Sequence, residues 1–139
     1  MRILYFTTSM MADDFAGYAK HWKISLNPSN QNFHNKIIRS LAITEKVEVF
    51  SCRPYSYKSC LIKKLNAHIK EDKNITWNYL SVTKRKFFRI RSYKLQINKL
   101  LKGTDLNDTV ILTDTINPTV ISSAEIATIS VHSETSHWP

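Results

Sequence analysis

The sequence predicts an α/β fold in which helices cover both faces of a parallel sheet. Short apolar runs rich in β-branched and aromatic residues recur along the chain, as expected of strands that are buried on both faces. Helix-periodic segments separate several of these runs, so strands and helices alternate. A polar segment, Asn27 to Asn32, lies between the first strand and the first helix, where α/β folds build ligand sites.

Five apolar runs are predicted to be strands. They lie at Ile3 to Thr7, Val47 to Cys52, Ile75 to Val82, Thr109 to Thr113 and Thr128 to His132. The connection after the first strand, Thr8 to Asn32, is far longer than the about two to six residues of an ordinary βα loop, which predicts a binding loop or lid. Its large apolar side chains either pack on an apolar ligand or fasten the loop to the core: Met10, Met11, Phe15, Tyr18 and Trp22.

Three segments have the apolar periodicity of a helix. The first has Ser29 or Asn30 as its N-cap, and its apolar face comprises Phe33, Ile37, Ile38 and Leu41. The second runs from Lys86 to Lys102 and stops at Gly103, and its inward positions are Ile90, Tyr93, Ile97 and Leu100. The third follows Asn117-Pro118 and carries Val120, Ile121 and Ala124. Within the ambiguous stretch Lys58 to Lys73, Leu61 to Ile69 is interpreted as a further helical segment.

Composition limits the organisation and the location of the chain. With 139 residues and 42% hydrophobic content, residues 1–139 are predicted to form one domain with a sizeable core. The first apolar run lacks a small-residue cleavage site, and no run reaches the ~18 apolar residues that cross a bilayer, so neither a signal peptide nor a membrane span is predicted. Cys52 and Cys60 are spaced unlike zinc ligands and are interpreted as reduced thiols, which favours the cytoplasm.

Several nucleotide and catalytic motifs are missing from the sequence. There is no G-x-G-x-x-G after the first strand, no P-loop, no H-E-x-x-H, no paired C-x-x-C and no G-x-S-x-G. What remains is a phosphate- or sugar-binding site at the start of the first helix, formed by Ser29, Asn30, Gln31 and Asn32. The alternative is that these residues only cap the helix.

Three segments together carry a resemblance to a known family. They are Arg2-Ile-Leu-Tyr-Phe6, Asn27-Pro-Ser-Asn-Gln-Asn-Phe-His34 at the head of a helix with Leu41-Ala42, and Val47-Glu-Val-Phe-Ser-Cys-Arg-Pro54. In this order the chain resembles the amino-terminal domain of bacterial family-4 glycosyltransferases, and Val110-Ile-Leu-Thr-Asp114 and Ile129-Ser-Val-His132 would occupy the places of that family's fourth and fifth strands. The resemblance implies a Rossmann-like domain, one of the two that face a cleft in the GT-B architecture.

The resemblance also implies an activity. Residues 1–139 would bind the acceptor, and a second, donor-binding domain that this sequence lacks would hold the nucleotide-sugar. The whole enzyme would move a sugar from the nucleotide-sugar to an acceptor hydroxyl in cell-envelope or exopolysaccharide synthesis. The acceptors implied by the resemblance include lipid-linked ones. The donor is a substrate, so no cofactor and no metal are implied. The isolated chain is expected to be inactive. The face that would meet the other domain, which includes Ser9 to Leu26, is expected to cause self-association or else to be disordered in this loop.

Individual site residues have a functional and a structural interpretation. The resemblance implies that His132 contacts the transferred sugar, whereas a buried, non-catalytic histidine is the alternative. Asp114 and Asn117 are candidates for binding an acceptor hydroxyl, although Asp-Thr-x-Asn-Pro is also ordinary turn and cap chemistry. Arg53 follows the second strand and is a candidate for pairing with a phosphate.

The formal net charge of +9 favours an anionic partner, and the densest basic segment is Lys84 to Lys94. This segment is either a solvated helix face or a patch for anionic membrane lipid, in which aromatic rings enter the interface beside Lys84, Arg85, Lys86 and Arg89. Nucleic-acid binding has no supporting motif. The competing function is a non-catalytic basic module that docks on anionic lipid or on a partner protein. The expected location is the cytoplasm, extending to the inner face of the membrane.

Overall fold

A computed structural model of the protein describes residues 1–22, 28–54, 64–83, 85–114, 120–125 and 127–128. For His21, Trp22, Lys64, Lys86 and Phe87 it describes the backbone only. The strands are β1 (Arg2–Thr7), β2 (Lys46–Ser51), β3 (Lys64–Leu65), β4 (His68–Asp72), β5 (Ile75–Tyr79), β6 (Val82–Thr83) and β7 (Thr109–Thr113). The long helices are α1 (Ala12–Trp22), α2 (Pro28–Leu41) and α3 (Lys86–Leu101), and residues 120–125 and 127–128 are also helical.

The main sheet has five strands in the order β4-β5-β2-β1-β7. Strands β5, β2, β1 and β7 are parallel, and β4 joins the edge as the antiparallel partner of β5. Strands β3 and β6 form a separate antiparallel pair. The fold is therefore α/β with a mostly parallel, Rossmann-like sheet, as the sequence predicts.

The connections of the sheet run in two opposite directions. From β1 the chain moves through α1 and α2 to β2, whereas from β5 it moves through α3 back across the sheet to β7. Because such crossovers are right-handed, the two connections place their helices on opposite faces of the sheet. The direction changes between β1 and β7, and in open α/β sheets ligands bind at the carboxyl ends of the strands beside this point.

The two faces of the sheet carry different side chains. Tyr5 of β1 is in register with Val49 of β2, which is in register with Trp77 of β5. These residues and Tyr79 face the α1–α2 side, where Tyr5 meets α2 and Tyr79 meets α1. Phe6 faces the other side and stacks on Phe50, with ring centroids 4.8 Å apart. The inner strands β1, β2 and β5 are thus buried on both faces, which explains the continuous apolar sequence of β1.

The strand predictions are confirmed at β1, β2 and β7, and the predicted strand Ile75 to Val82 is divided in two. Gln96 of α3 causes the break because it binds the backbone of Ser81, accepting from its N–H at 2.7 Å and donating to its carbonyl at 3.2 Å. These backbone groups are therefore unavailable to a sheet. The predicted strand at Thr128 is wrong at its first residue, which is helical, and its remainder lies outside the described residues.

The helical interpretation of Leu61 to Ile69 is wrong for the residues that the structure describes there. Leu65 pairs with Val82, and β4 forms a hairpin with β5 around Lys73, whose φ of 54° is left-handed. The polar turn Asp72-Lys73-Asn74 was the available signal for this hairpin. Pairing with β5 outweighs any local helical preference.

The long connection after β1 is not a loop, because α1 occupies much of it. Asp13 and Asp14 lie in the first turn of α1, where acidic side chains interact favourably with the helix dipole. Met10 and Tyr18 are buried in the core, and Met11 and Phe15 pack against it. These side chains fasten the segment to the sheet, as the second interpretation of them held.

The other two long helices need smaller corrections. Helix α2 begins at Pro28, a residue suited to a first helical position, so Ser29 and Asn30 lie inside the first turn and are not its N-cap. Phe33 is 59% exposed rather than on the inner face. Helix α3 and its stop at Gly103, with φ of 73°, are confirmed. It buries Tyr93, Ile97 and Leu101, whereas Ile90 and Leu100 are exposed. The third predicted helix is present from residue 120.

Candidate functional site at the carboxyl edge of the sheet

The carboxyl ends of β1 and β7 lie side by side at the point where the chain direction across the sheet changes. Thr7 ends β1, and Asp114 directly follows β7. The backbone N–H of Asp114 donates to the carbonyl of Phe6 at 2.9 Å, so the sheet register fixes the position of this carboxylate. Asp114 is only 2% exposed. A buried carboxylate needs donors around it, and α2 provides one.

The amino-terminal half of α2 is tied to the segment that follows β1. The side-chain oxygen of Gln31 accepts from the N–H of Met10 at 2.9 Å and from the hydroxyl of Ser9 at 3.2 Å, and its amide donates to the carbonyl of Thr8 at 3.2 Å. One turn later, the amide of Asn35 lies 3.0 Å from the hydroxyl of Ser9 and 2.7 Å from the carbonyl of Met10. Buried amides therefore hold α2 against the carboxyl end of β1.

His34 lies between these two amides along α2 and links β1 to β7. Its Nε2 is 3.3 Å from Oδ2 of Asp114, and its Nδ1 is 2.7 Å from the hydroxyl of Tyr5. The tautomer that suits both contacts carries its proton on Nε2, facing Asp114, so that Nδ1 accepts the Tyr5 hydroxyl. All three side chains are buried. They form a continuous row of buried polar contacts, which we call the Tyr5–His34–Asp114 row.

Tyr5 remains protonated at physiological pH. Burial, and to a lesser extent the negative charge of Asp114, raise the pKa of Tyr5 to about 12. Its hydroxyl is therefore a donor that fixes which nitrogen of His34 carries the proton. The row holds a carboxylate in one orientation at the carboxyl edge, and a carboxylate in such a place accepts hydrogen bonds from hydroxyl groups.

The row and the polar start of α2 bring together several residues that the sequence predicts for the site. Ser29 and Asn32 are exposed and Asn30 is half-buried, and the contacts of Gln31 hold this turn of α2 at the carboxyl edge, so the three residues form a polar rim there. Gln31 has a different position, because its side chain is buried against the segment after β1. Asp114 lies at the predicted edge of the sheet.

Arg53 follows β2 on the same edge, but its guanidinium points toward the β5 side. One of its terminal nitrogens lies 2.9 Å from the carbonyl of Leu80 and 2.6 Å from that of Asn66, and the group lies 5.6 Å from the centre of the Tyr79 ring. Burial lowers the pKa of Arg53. Its contacts thus join loops of the protein, and the suggested phosphate contact stays a prediction. Asn117 and His132 lie outside the described residues.

Sequence reasoning missed Tyr5, His34 and Asn35. A signal for two of them exists, because Gln31, His34, Asn35 and Ile38 have the i, i+3, i+4, i+7 spacing of a buried helix face. That face was assigned from apolar residues alone, and this placed Phe33 inward. A polar side chain at a buried helical position indicates a hydrogen-bond partner elsewhere in the fold.

Two further properties of the described residues bear on function. In that part of the chain no helix has the length and apolar character needed to span a bilayer. The same residues contain no group of three or more His, Cys, Asp or Glu side chains placed to hold a metal ion. Cys52 is buried and unpaired, and burial raises the pKa of its thiol to about 12, so it is a packing residue and not a reactive one.

Comparison with known proteins adds nothing to this geometry: no protein-family model, no curated protein and no solved structure matches the chain. The fold and the Tyr5–His34–Asp114 row are therefore the basis for assigning a function.

Proposed function

We propose that this chain is the acceptor-binding domain of a glycosyltransferase of the GT-B type. The observation that carries the proposal is the position of the Tyr5–His34–Asp114 row beside the polar start of α2, at the carboxyl edge of a Rossmann-like sheet. This is where α/β folds bind ligands. The chemistry of the edge, a fixed carboxylate below a rim of hydroxyl and amide side chains, suits a ligand with several hydroxyl groups.

In this proposal Asp114 orients the acceptor. Its carboxylate, held in place by His34, accepts a hydrogen bond from the acceptor hydroxyl that is to receive the sugar. Because Asp114 is 2% exposed, this contact requires the carboxyl edge to open as the acceptor binds. Ser29 and Asn32, on the rim, bind neighbouring hydroxyl groups. The donor nucleotide-sugar is bound by a second domain in the same polypeptide or in a partner chain. Residues 1–139 alone then bind UDP- or GDP-sugars weakly and transfer no sugar, because half a cleft supplies only part of the contacts.

Saturation-transfer NMR with a panel of simple saccharides tests acceptor binding directly. We expect at least one saccharide to receive transfer from the wild-type chain, and Asp114→Asn to reduce its affinity by about tenfold, the effect of losing a charged hydrogen bond. Asp105→Asn is the matched control. Asp105 lies in the turn before β7, at the opposite edge of the sheet, and its side-chain oxygen accepts the N–H of Asn107, which asparagine can also do.

Circular dichroism must show that the Asp114→Asn variant is folded before its affinity is compared. Equal affinity in folded Asp114→Asn and wild-type protein would contradict the role of this carboxylate. Absence of binding by any saccharide, or measurable sugar transfer by residues 1–139 alone, would contradict the proposed division between acceptor and donor domains.

A further inference from the structure

Helix α3 has an unusual charge composition. Between Arg85 and Lys102 the sequence contains seven Lys or Arg residues and no Asp or Glu. A solvated helix face ordinarily mixes both signs, because opposite charges three or four residues apart stabilise the helix. Cations without compensating acids make this helix a local source of positive potential on a chain that already carries a net charge of +9.

The structure divides α3 into a buried and an exposed side. Tyr93, Ile97 and Leu101 repeat every four residues and are buried. On the opposite side, Phe88 is 55% exposed and Leu95 is 61% exposed. These two residues are seven positions apart, so they lie on the same side of the helix, about 10 Å from each other along its axis. Because Phe88 and Leu95 point away from the sheet, these two large apolar side chains have no role in the core.

Cations accompany the two apolar side chains. Arg91, Lys99 and Lys102 are exposed and follow Phe88 at intervals of three, eleven and fourteen residues, which places them on the same side as Phe88 and Leu95. Phe88, Arg91, Leu95, Lys99 and Lys102 are called the α3 stripe below. It extends over about 20 Å, and Arg85 is exposed at its amino-terminal end.

The stripe differs from the basic patch that the sequence predicts. Arg89, a member of that patch, is half-buried and lies 3.4 Å from the carbonyl of Thr83, so it belongs to the inner side of the helix. Lys84 and the side chain of Lys86 lie outside the described residues. Arg85 is therefore the one member of the predicted patch whose side chain the structure describes as exposed. The exposed positive charge extends instead toward the carboxyl end of α3.

We propose that the α3 stripe docks the protein on an anionic phospholipid surface, with α3 parallel to the membrane plane. Charge complementarity and the apolar centre of the stripe together favour this occupant. The cations of the stripe attract lipid phosphates, while Phe88 and Leu95 enter the boundary between headgroups and acyl chains. A nucleic acid would satisfy the charges but not the aliphatic side chain at the centre. The proposal does not depend on glycosyl transfer.

Vesicle flotation tests the proposal with wild-type protein. We expect binding to vesicles of phosphatidylcholine mixed with phosphatidylglycerol, weak binding to phosphatidylcholine alone, and release of the bound protein as salt concentration rises. Equal binding to both kinds of vesicle would overturn the electrostatic part of the proposal. Binding to single-stranded or duplex oligonucleotides without any binding to vesicles would overturn the proposal entirely.

Two pairs of variants separate charge from insertion. Arg91→Gln with Lys99→Gln should weaken binding by on the order of 20-fold, since each cation near an anionic surface contributes about a factor of five. The matched control is Lys36→Gln with Lys46→Gln, which removes the same charge from exposed positions on α2 and β2. A uniform effect of net charge would weaken both variants equally, and this result would overturn the assignment to α3.

The second pair removes apolar side chains. Phe88→Ser with Leu95→Ser should weaken binding by about tenfold or more even at low salt, because insertion is lost while the cations remain. Phe33→Ser with Ile43→Ser is the matched control, since both residues are large, apolar and mostly exposed but belong to the α2 side of the protein. Unchanged binding in the α3 variant, or an equal loss in the control, would overturn insertion by the stripe.

Discussion

The two faces of the sheet are covered by helices that are attached in different ways. On one face, α1 and α2 are attached by polar side chains: Gln31, His34 and Asn35 are buried and hydrogen-bonded, and Asp14 of α1 accepts the hydroxyl of Tyr79. On the other face, α3 buries apolar side chains. It also exposes apolar side chains to solvent. The α1–α2 face therefore buries polar groups, whereas α3 combines a buried apolar side with an exposed side on which Phe88 and Leu95 lie among cations.

This difference shows where each helix departs from the simplest rule of burial. Buried amides and a buried imidazole cost free energy unless each is hydrogen-bonded, so their presence in α2 requires partners from β1 and β7. Exposed Phe88 and Leu95 contribute little to folding. Each set of residues is the basis of a proposed function. The buried polar side chains of α2 lie at the carboxyl edge of the sheet, and Phe88 and Leu95 belong to the α3 stripe.

The largest expected effect is on the apolar side. Ile97→Ala should lower the free energy of unfolding by about 3 kcal/mol, because the residue is fully buried and the sheet cannot close on the space that is left. Leu95→Ser, on the opposite side of the same helix, should change it by less than about 0.5 kcal/mol. Urea unfolding of both variants measures the contrast. Similar losses in the two would mean that α3 packs by a different face.

A smaller effect is expected on the polar side. Asn35→Leu adds apolar surface but should still destabilise the protein by about 1–3 kcal/mol, because it removes the amide that binds Ser9 and Met10. Lys36→Leu, at the next and exposed position of α2, is the matched control and should be nearly neutral. Stabilisation by Asn35→Leu, measured in the same urea experiment, would show that this face prefers apolar packing after all.

The smallest effect is expected at Asp14, which connects α1 to the sheet through Lys70 and Tyr79. Burial acts to raise the pKa of Asp14, but the hydrogen bonds from Lys70 and Tyr79 outweigh it and the pKa is lowered. A lowered pKa contributes stability above the unfolded pKa, and this contribution disappears as pH falls through the folded value. Asp14→Asn should therefore cost about 0.5 to 1 kcal/mol at neutral pH.

The same variant gives a dependence on pH that checks the cause. The difference in unfolding free energy between wild-type and Asp14→Asn protein should begin to shrink as pH falls to about 4, the ordinary pKa of an Asp, and should vanish once pH lies below the lowered pKa of Asp14 in the folded protein. Denaturant unfolding at a series of pH values measures it. A difference that persists at low pH would assign the effect to altered hydrogen bonding and not to charge.

Sequence reasoning succeeded where a residue's position depends on its near neighbours. Strands β1 and β7 have apolar interiors, β2 carries Val47, Val49 and Phe50 inward, and Gly103 marks the end of α3 by its own conformational freedom. Sequence reasoning failed at α1, because the segment was predicted to be a long loop although its apolar side chains have helical spacing. The β4–β5 hairpin was also missed, because its strand β4 is almost entirely exposed and polar.

The candidate site was predicted only in part for a related reason. Its location follows from the strand order, and Asp114 was found because it directly follows a strand. His34 is different, since nothing near it in sequence reveals its two partners. Tyr5 lies 29 positions before it, and Asp114 lies far toward the other end of the chain. Hydrogen-bond partners at such distances become visible only when the sheet is assembled.

The interior position of β1 also determines the order in which the fold can be completed during synthesis. This strand precedes the other described strands in the sequence, yet one of its two edges pairs with residues 109–113. Until the ribosome has released that region, β1 presents a hydrophobic strand with an unpaired edge, and such edges promote association between nascent chains. The join between β1 and β7 is also the most non-local contact in the sheet, and non-local pairing slows folding. Among the described strands β7 is the last to emerge, and its pairing with β1 completes the edge on which Asp114 lies.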